Sequence, residues 1–368
     1  MTDAFLRLIL AEPDADGPRL IYADWLDEHG DPARAEFIRV QCALARLPKE
    51  DRRTPALEGR AKVLVEGNLV AWGEPLRGLA AKWEFRRGFP EVVDIDARTF
   101  LARADDLFAS VPVRHVRLLD VEGHLPRLSK CESLARLTAL TIAASKLGNA
   151  LPKALALSPH LSQLRSLDLA RNRIGDDGAQ AFAASPGLAG LIELDLSEND
   201  IGPAGAHALA AAPHFSRLVA LGMRSNPIGT TGAGALATST RLTTLAALDI
   251  ANVGCGPEAV EPLASQAATP PFVEMDLSGN ELGDAGASAL ARWSGLATVR
   301  NLDLSRNAIS DIGAIALAEC PHRTGIQSLK LNSNRITETG RRVLMSAFGG
   351  TTNLELRDNL STLASFRR

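Results

Sequence analysis

The sequence predicts an α/β fold: a curved solenoid of strand–loop–helix units, with parallel strands on the concave face and helices on the convex face, behind a small N-terminal all-α module. Three observations predict it. Asparagines at 172, 199, 226, 280, 307 and 334 are separated by 27 residues or by twice 27. An independent column, Phe182, Leu209, Leu236, Leu263, Leu290, Leu317 and Leu344, keeps the same phase. The composition suits a core of small aliphatic units, with 46% hydrophobic residues but only 4% aromatic. Two columns that stay in phase over so many steps mark a repeat array.

Residues 1–47 depart from the period and read as three short helices. Asp3 is placed to cap the first, which stops before Pro13. Pro18 opens the second, which carries LIYADWLDE and ends at Gly30. Asp31-Pro32 supplies a cap and a first-turn proline for the third, ARAEFIRVQCALARL. Leu20, Ile21, Trp25 and Leu26 recur at helical spacing, giving the module an apolar face. Residues 48–88 follow as a polar linker from Pro48 to Pro55 and a helical cap around Leu57 to Leu79.

Residues 89–368 read as a solenoid of about ten to eleven units with a 27-residue period. FPEVVDI and VRHVRLLDVEGHL open it at irregular steps, and LTALTIAASKLG keeps the phase but has Ser145 where asparagine is due. One inner unit carries Val253 and Cys255 where asparagine and isoleucine are expected, and TTNLELRDN ends at Asn359 after a step of only 25 residues. Within a unit, the alternation in LDL puts both leucines on one strand face and the aspartate on the other. The asparagine stands at the turn, where its amide can satisfy loop backbone groups. Gly175 and Gly178 free the backbone ahead of an Ala-rich helix, which Pro159, Pro186, Pro213 and Pro321 stop at multiples of the period. Strands stack at about 4.8 Å and packed helices need roughly 8–10 Å, so the array bends with its strands inside.

The pattern LxxLxLxxNxIG followed by GAxALA resembles the leucine-rich repeats of the ribonuclease-inhibitor class, especially their bacterial GALA-type variant. The segments PRLIYADWLDEHGD and RAEFIRVQ are similar to the repeat-companion domain that precedes leucine-rich repeats in large bacterial protein families. The resemblance implies an interaction module in front of a recognition solenoid.

Composition narrows the function classes. Lys plus Arg is 40 and Asp plus Glu is 43, a formal charge of −3 without the basic surplus of a nucleic-acid binder. No apolar run reaches the roughly 18 residues of a spanning helix, and Arg7, Glu12, Asp14 and Asp16 interrupt anything signal-like at the start. Cys42, Cys131, Cys255 and Cys320 form no CxxC pair, which suits a reducing interior. The expectation is a cytoplasmic protein that engages neither nucleic acid nor membrane.

The concave positions carry an acidic column, Asp168, Asp195, Asp249, Asp276 and Asp303, interrupted by Gly222 and followed by Lys330. Stacked carboxylates repel one another and call for a basic partner or for neutralising neighbours. Arg171, Arg224, Arg300 and Arg306 are the internal candidates for that role, and aspartate in LDLSxN is also ordinary filler for this repeat. The candidate partner-binding set is therefore Asp168, Asp195, Arg224, Asp249, Asp276, Asp303, Arg306 and Lys330. No catalytic, cofactor or metal residue is assigned. GCGPEA from Gly254 spells GxGxxA ahead of an expected helix, with Glu274 about twenty residues on as a dinucleotide site would want, but the repeat register already accounts for it. His115 and His124 lack metal-ligand spacing and read as polar surface residues, and Trp293 falls on the helix side, where an exposed convex contact is one alternative.

These features lead to the expectation of a non-enzymatic scaffold that binds a protein partner across the concave face and needs no cofactor. Partner identity and oligomeric state stay open. One alternative is a GTPase-activating or other enzyme-regulating protein of the same repeat class. Another is an adaptor that links a partner held by the helical module to one held by the solenoid.

Overall fold

Proline- and aspartate-marked helices open the chain in the computed structural model of the protein, which describes residues 2–48, 51–266, 269–350 and 352–360. The chain divides into two units, Met1–Ile142 and Ala143–Arg368, so the first strands of the predicted array share a unit with the helical module.

The first unit begins with α1 (Thr2–Ala11), α2 (Gly17–Glu28), α3 (Pro32–Arg46) and α4 (Thr54–Trp72). The hairpin β1 (Lys82–Arg86) and β2 (Phe89–Asp96) follows, then α5 (Ala97–Ser110), β3 (His115–Leu119), α6 (Leu125–Leu128) and β4 (Ala139–Thr141). β1 runs antiparallel to β2, whereas β2, β3 and β4 pair in parallel. Asp31 caps α3 by accepting the Arg34 N–H at 3.0 Å, with Pro32 in its first turn. The expected cap Asp3 falls within α1, which starts at Thr2, and its side chain lies outside the described residues. α4 starts at Thr54, inside the expected linker, of which residues 49 and 50 lie outside the described residues.

The helices and the hairpin share one core. Ile9, Ala23, Leu26, Ala35, Ile38 and Cys42 pack with Phe89 of β2. Arg19 of α2, fully buried, pairs with the buried Glu91 of β2. The Arg34 guanidinium lies 4.6 Å from the Trp72 ring and 5.3 to 5.8 Å from those of Phe89, Phe85 and Phe37, an aromatic box that favours its charge. Burial lowers its pKa to about 10, so the cation persists at neutral pH. The motif residues Arg19, Arg34 and Phe37 thus tie helices to hairpin.

The second unit holds α7 (Ala150–Ala156), β5 (Ser166–Asp168), α8 (Asp176–Ala183), β6 (Glu193–Asp195), α9 (Pro203–Ala210), β7 (Ala220–Gly222) and α10 (Gly229–Ala237). It continues with β8 (Ala247–Asp249), β9 (Glu274–Asp276), α11 (Gly283–Arg292), β10 (Asn301–Asp303), α12 (Asp311–Ala318), β11 (Ser328–Lys330), α13 (Glu338–Phe348) and β12 (Asn353–Glu355). β5 to β12 pair in parallel and in sequence order. The middle residues, from Leu167 to Leu329, are at most 2% exposed, while the residues on either side of them face the other way.

Buried asparagines hold successive units together. Asn199 Oδ1 accepts the N–H groups of Asn172 and Ile174 at 2.9 and 3.0 Å, and its Nδ2 donates to the carbonyls of Leu169 and Leu196 at 3.1 and 2.8 Å. Asn359 does the same for Asn334 and Ile336 despite its shortened step. At Val253 the ladder breaks, and the Ile228 N–H turns to the carbonyl of Asn226 instead. The helix expected after GCGPEA is absent: two short 3-10 turns, Pro257–Ala259 and Glu261–Ser265, stand in its place, since Pro262 lacks the donor a helix needs. A dinucleotide fingerprint has no helix N-terminus to use there.

A second set of inter-unit bonds starts the helices. Asp176 Oδ1 accepts from the N–H groups of Gly202 and Gly205 at 2.8 and 2.7 Å, and Asp284 does likewise for Ser310 and Gly313 at 2.7 and 2.9 Å. α9 and α12 are therefore capped from the unit before them. Where the capping column carries Pro203 or Pro257 no acceptor exists, and the next helix opens instead on Gly229 or Gly283 with φ of +60° and +55°.

Candidate partner-binding groove

The strand register sets the acidic column side by side: Asp168 opposite Asp195, Asp249 opposite Asp276, Asp276 opposite Asp303, and Asp303 opposite Lys330. Each aspartate also closes an Asx turn. The Oδ1 atoms of Asp168, Asp195, Asp249, Asp276 and Asp303 accept from the N–H two residues on, at 2.9 to 3.0 Å. One carboxylate oxygen thus shapes the end of the strand, and at Asp249, Asp276 and Asp303 Oδ2 meets a cation.

Neutralisation is uneven. Arg224 Nε and Nη2 reach Oδ2 of Asp249 and Asp276 at 3.0 and 2.5 Å, and Lys330 Nζ lies 3.6 Å from Asp303 Oδ2. Burial nevertheless raises the Asp249 pKa above the ordinary carboxylate value, against the opposing pull of the Ala251 N–H and Arg224. The other three arginines differ in their contacts, and Arg171 also feels the charge of Asp168. Arg171 makes a two-pronged pair with Glu198 at 2.7 and 2.8 Å, and Arg300 donates to the Gly325 carbonyl at 2.8 Å. Arg306, exposed at a left-handed position with φ of 56°, has no ion-pair partner among the described residues.

A groove of about 550 Å³ runs across the strand face from β5 to β11. Its middle is lined by Ala220, Gly222 and Ala247, and no aromatic side chain lines it. Asp168, Glu193, Asp195, Asp249, Glu274, Asp276 and Asp303 surround that floor, against Lys330 on the wall and Arg224 beside it. Glu193 and Glu274 were not among the sequence candidates. The alternation that placed the aspartates also places the residue two positions earlier on the same face, so this signal was available. The chain therefore presents a rigid, carboxylate-rich surface with a shallow, small-residue floor.

Two other expectations change. Trp293 is 1% exposed and sits edge-on to Phe272 at 6.1 Å, so it is core rather than a convex contact. His115 is half-buried in the first unit, with Nε2 3.0 Å from Thr141 Oγ1. Burial, with Arg117 and Arg86 nearby, lowers its pKa to about 4. Among the described residues no group of three or more His, Cys, Asp and Glu could hold a metal, and no helix is long and apolar enough to cross a membrane.

The Leucine Rich repeat family profile matches residues 160–183, 191–210, 272–291 and 295–318. No curated protein matches the chain. Among solved structures, a complex of Rad7 and Elc1 in yeast aligns over 94% of this chain and 93% of that one, at 13% identity and a TM-score of 0.48. The TLR13–ssRNA13 complex aligns over 75% of this chain and 35% of that one, at 18% identity and a TM-score of 0.44. An internalin of Listeria monocytogenes aligns over 73% and 86%, at 14% identity and a TM-score of 0.32. With matched segments on the strand–asparagine–helix units just described, the chain carries leucine-rich repeats arranged as an α/β solenoid.

Proposed function

We propose that the protein is a binding scaffold, not an enzyme, and that it holds a protein partner by a basic segment laid on the strand face of the second unit. The observation that carries this reading is the charge of the groove, where seven carboxylates outnumber Arg224 and Lys330 around a floor of Ala220, Gly222 and Ala247. Lysine and arginine side chains can approach such a floor closely and meet carboxylates fixed by their own turns. Nucleic acid is disfavoured on this face by the same charge. With no aromatic anchor, affinity arises from many modest polar contacts and falls as salt rises.

The test is a pull-down from source-cell lysate, read by mass spectrometry, with the intact chain and with a variant in which Asp168, Asp195, Asp249, Asp276 and Asp303 are all serine. The expected result is a protein retained by the intact chain and lost by the variant, both folded by circular dichroism. Equal retention by the two contradicts the reading.

A further inference from the structure

Where α3, the β1–β2 hairpin and the starts of β3 and β4 meet, the first unit has a cleft of about 410 Å³, within the size range of small-molecule sites. Its lining differs from that of the groove in the second unit, with arginines on the wall and Leu44, Phe85 and Ala139 presenting apolar surface. We propose that this cleft binds a small organic acid, its carboxylate held by Arg86 and Arg114 and its apolar body laid on Leu44, Phe85 and Ala139.

The partners of the lining arginines point there. Arg87 is already engaged, donating to the Asp14 and Pro13 carbonyls at 3.0 and 3.5 Å with its Nε 3.7 Å from Asp16. Arg86 is exposed, and its charge acts on Glu84, Glu91 and His115 without an ion-pair contact among the described residues. Arg114 donates from Nη1 to the Arg136 carbonyl at 2.9 Å and keeps its Nε buried, so Nη2, 3.4 Å from Asp14, is the donor it brings to the cleft. An exposed guanidinium beside a loosely held one in a cleft wall is a place for an oxygen anion, and two guanidinium groups suit a planar carboxylate.

The acids on the wall set the ligand's charge. Glu91 is paired with Arg19. Asp14, with a 70% exposed side chain, touches Arg114 Nη2 at 3.4 Å and Arg87 Nη1 only at 3.9 Å, a loose contact that an incoming monoanion can displace.

The experiment uses the full chain with ¹³C-labelled histidine, the His115 ring resonance assigned by loss in His115→Gln, titrated at pH 7 with benzoate and separately with acetate. The expected result is a saturable His115 shift with benzoate, at an affinity about five-fold or more above acetate, because only benzoate covers the apolar wall. Arg86→Ala weakens benzoate binding by about five-fold or more, and Asp14→Asn, which removes the competing carboxylate, tightens it. Tightening cannot come from a misfolded variant. No saturable shift, equal affinity for benzoate and acetate, or an Arg86→Ala variant that binds like the parent would overturn the proposal.

Discussion

The amide of Asn226 donates to the carbonyls of Leu196 and Met223 at 2.8 and 2.9 Å and accepts the Ile201 N–H at 3.0 Å, all inside the core. Asn226→Ala strands those backbone groups, and urea denaturation should register a loss of about 2–4 kcal/mol. A loss under about 0.5 kcal/mol contradicts the ladder's role. Asp195→Ser is the natural control, because a serine hydroxyl can still accept from the N–H of Ser197 and should leave stability within about 0.5 kcal/mol. His115 sets a pH dependence. Its folded pKa of about 4 lies below the unfolded value, so between the two the unfolded chain binds more protons. The histidine's contribution is therefore complete at neutral pH and fades as pH falls from about 6.5 towards 4, by about 1–2 kcal/mol after solvent screening. His115→Gln should remove that part of the slope in stability measured against pH; an unchanged slope assigns it to other groups.

At the level of the element, the helix starts make the sharpest contrast. Gly175 and Gly229 occupy the same column of the repeat, but Gly175 has φ of −102° and Gly229 has φ of +60°. A methyl on Gly175 would sit at ordinary contact distance, 3.6 Å from Asn149, so Gly175→Ala should be nearly neutral. Gly229→Ala meets no steric neighbour yet forces a left-handed backbone, and thermal or chemical denaturation should show about 1–2 kcal/mol lost. Equal effects at both positions would contradict this account of how proline in the preceding unit resets the helix start. The repeat period made strands, turns and most helices legible in the sequence, because each unit repeats the same local grammar. It concealed the capping of α12 and its neighbours by Asp284 and its equivalents, since those bonds cross from one unit to the next. It also concealed the Arg19–Glu91 pair, whose members are 72 residues apart in a stretch without the period. Pro262 was the readable sign that one unit would lose its helix.

For the whole molecule, a formal charge of −3 averages over surfaces of opposite character, a carboxylate-rich groove in the second unit and an arginine-lined cleft in the first. The acidic column was legible from spacing alone, and so was the face that bears it. Which carboxylates Arg224 and Lys330 would engage was not, because that depends on side-chain reach across one or two strands. The proposed function puts the partner on the strand face. The direct test is site-specific photo-crosslinking in cells, with benzoyl-phenylalanine placed at Ala247 on the groove floor or at Ile312, which is 67% exposed on α12. The account predicts a discrete crosslinked adduct from position 247 that disappears when the column aspartates are changed to serine, and none from position 312. An adduct from 312 alone would place the partner on the helices and contradict it.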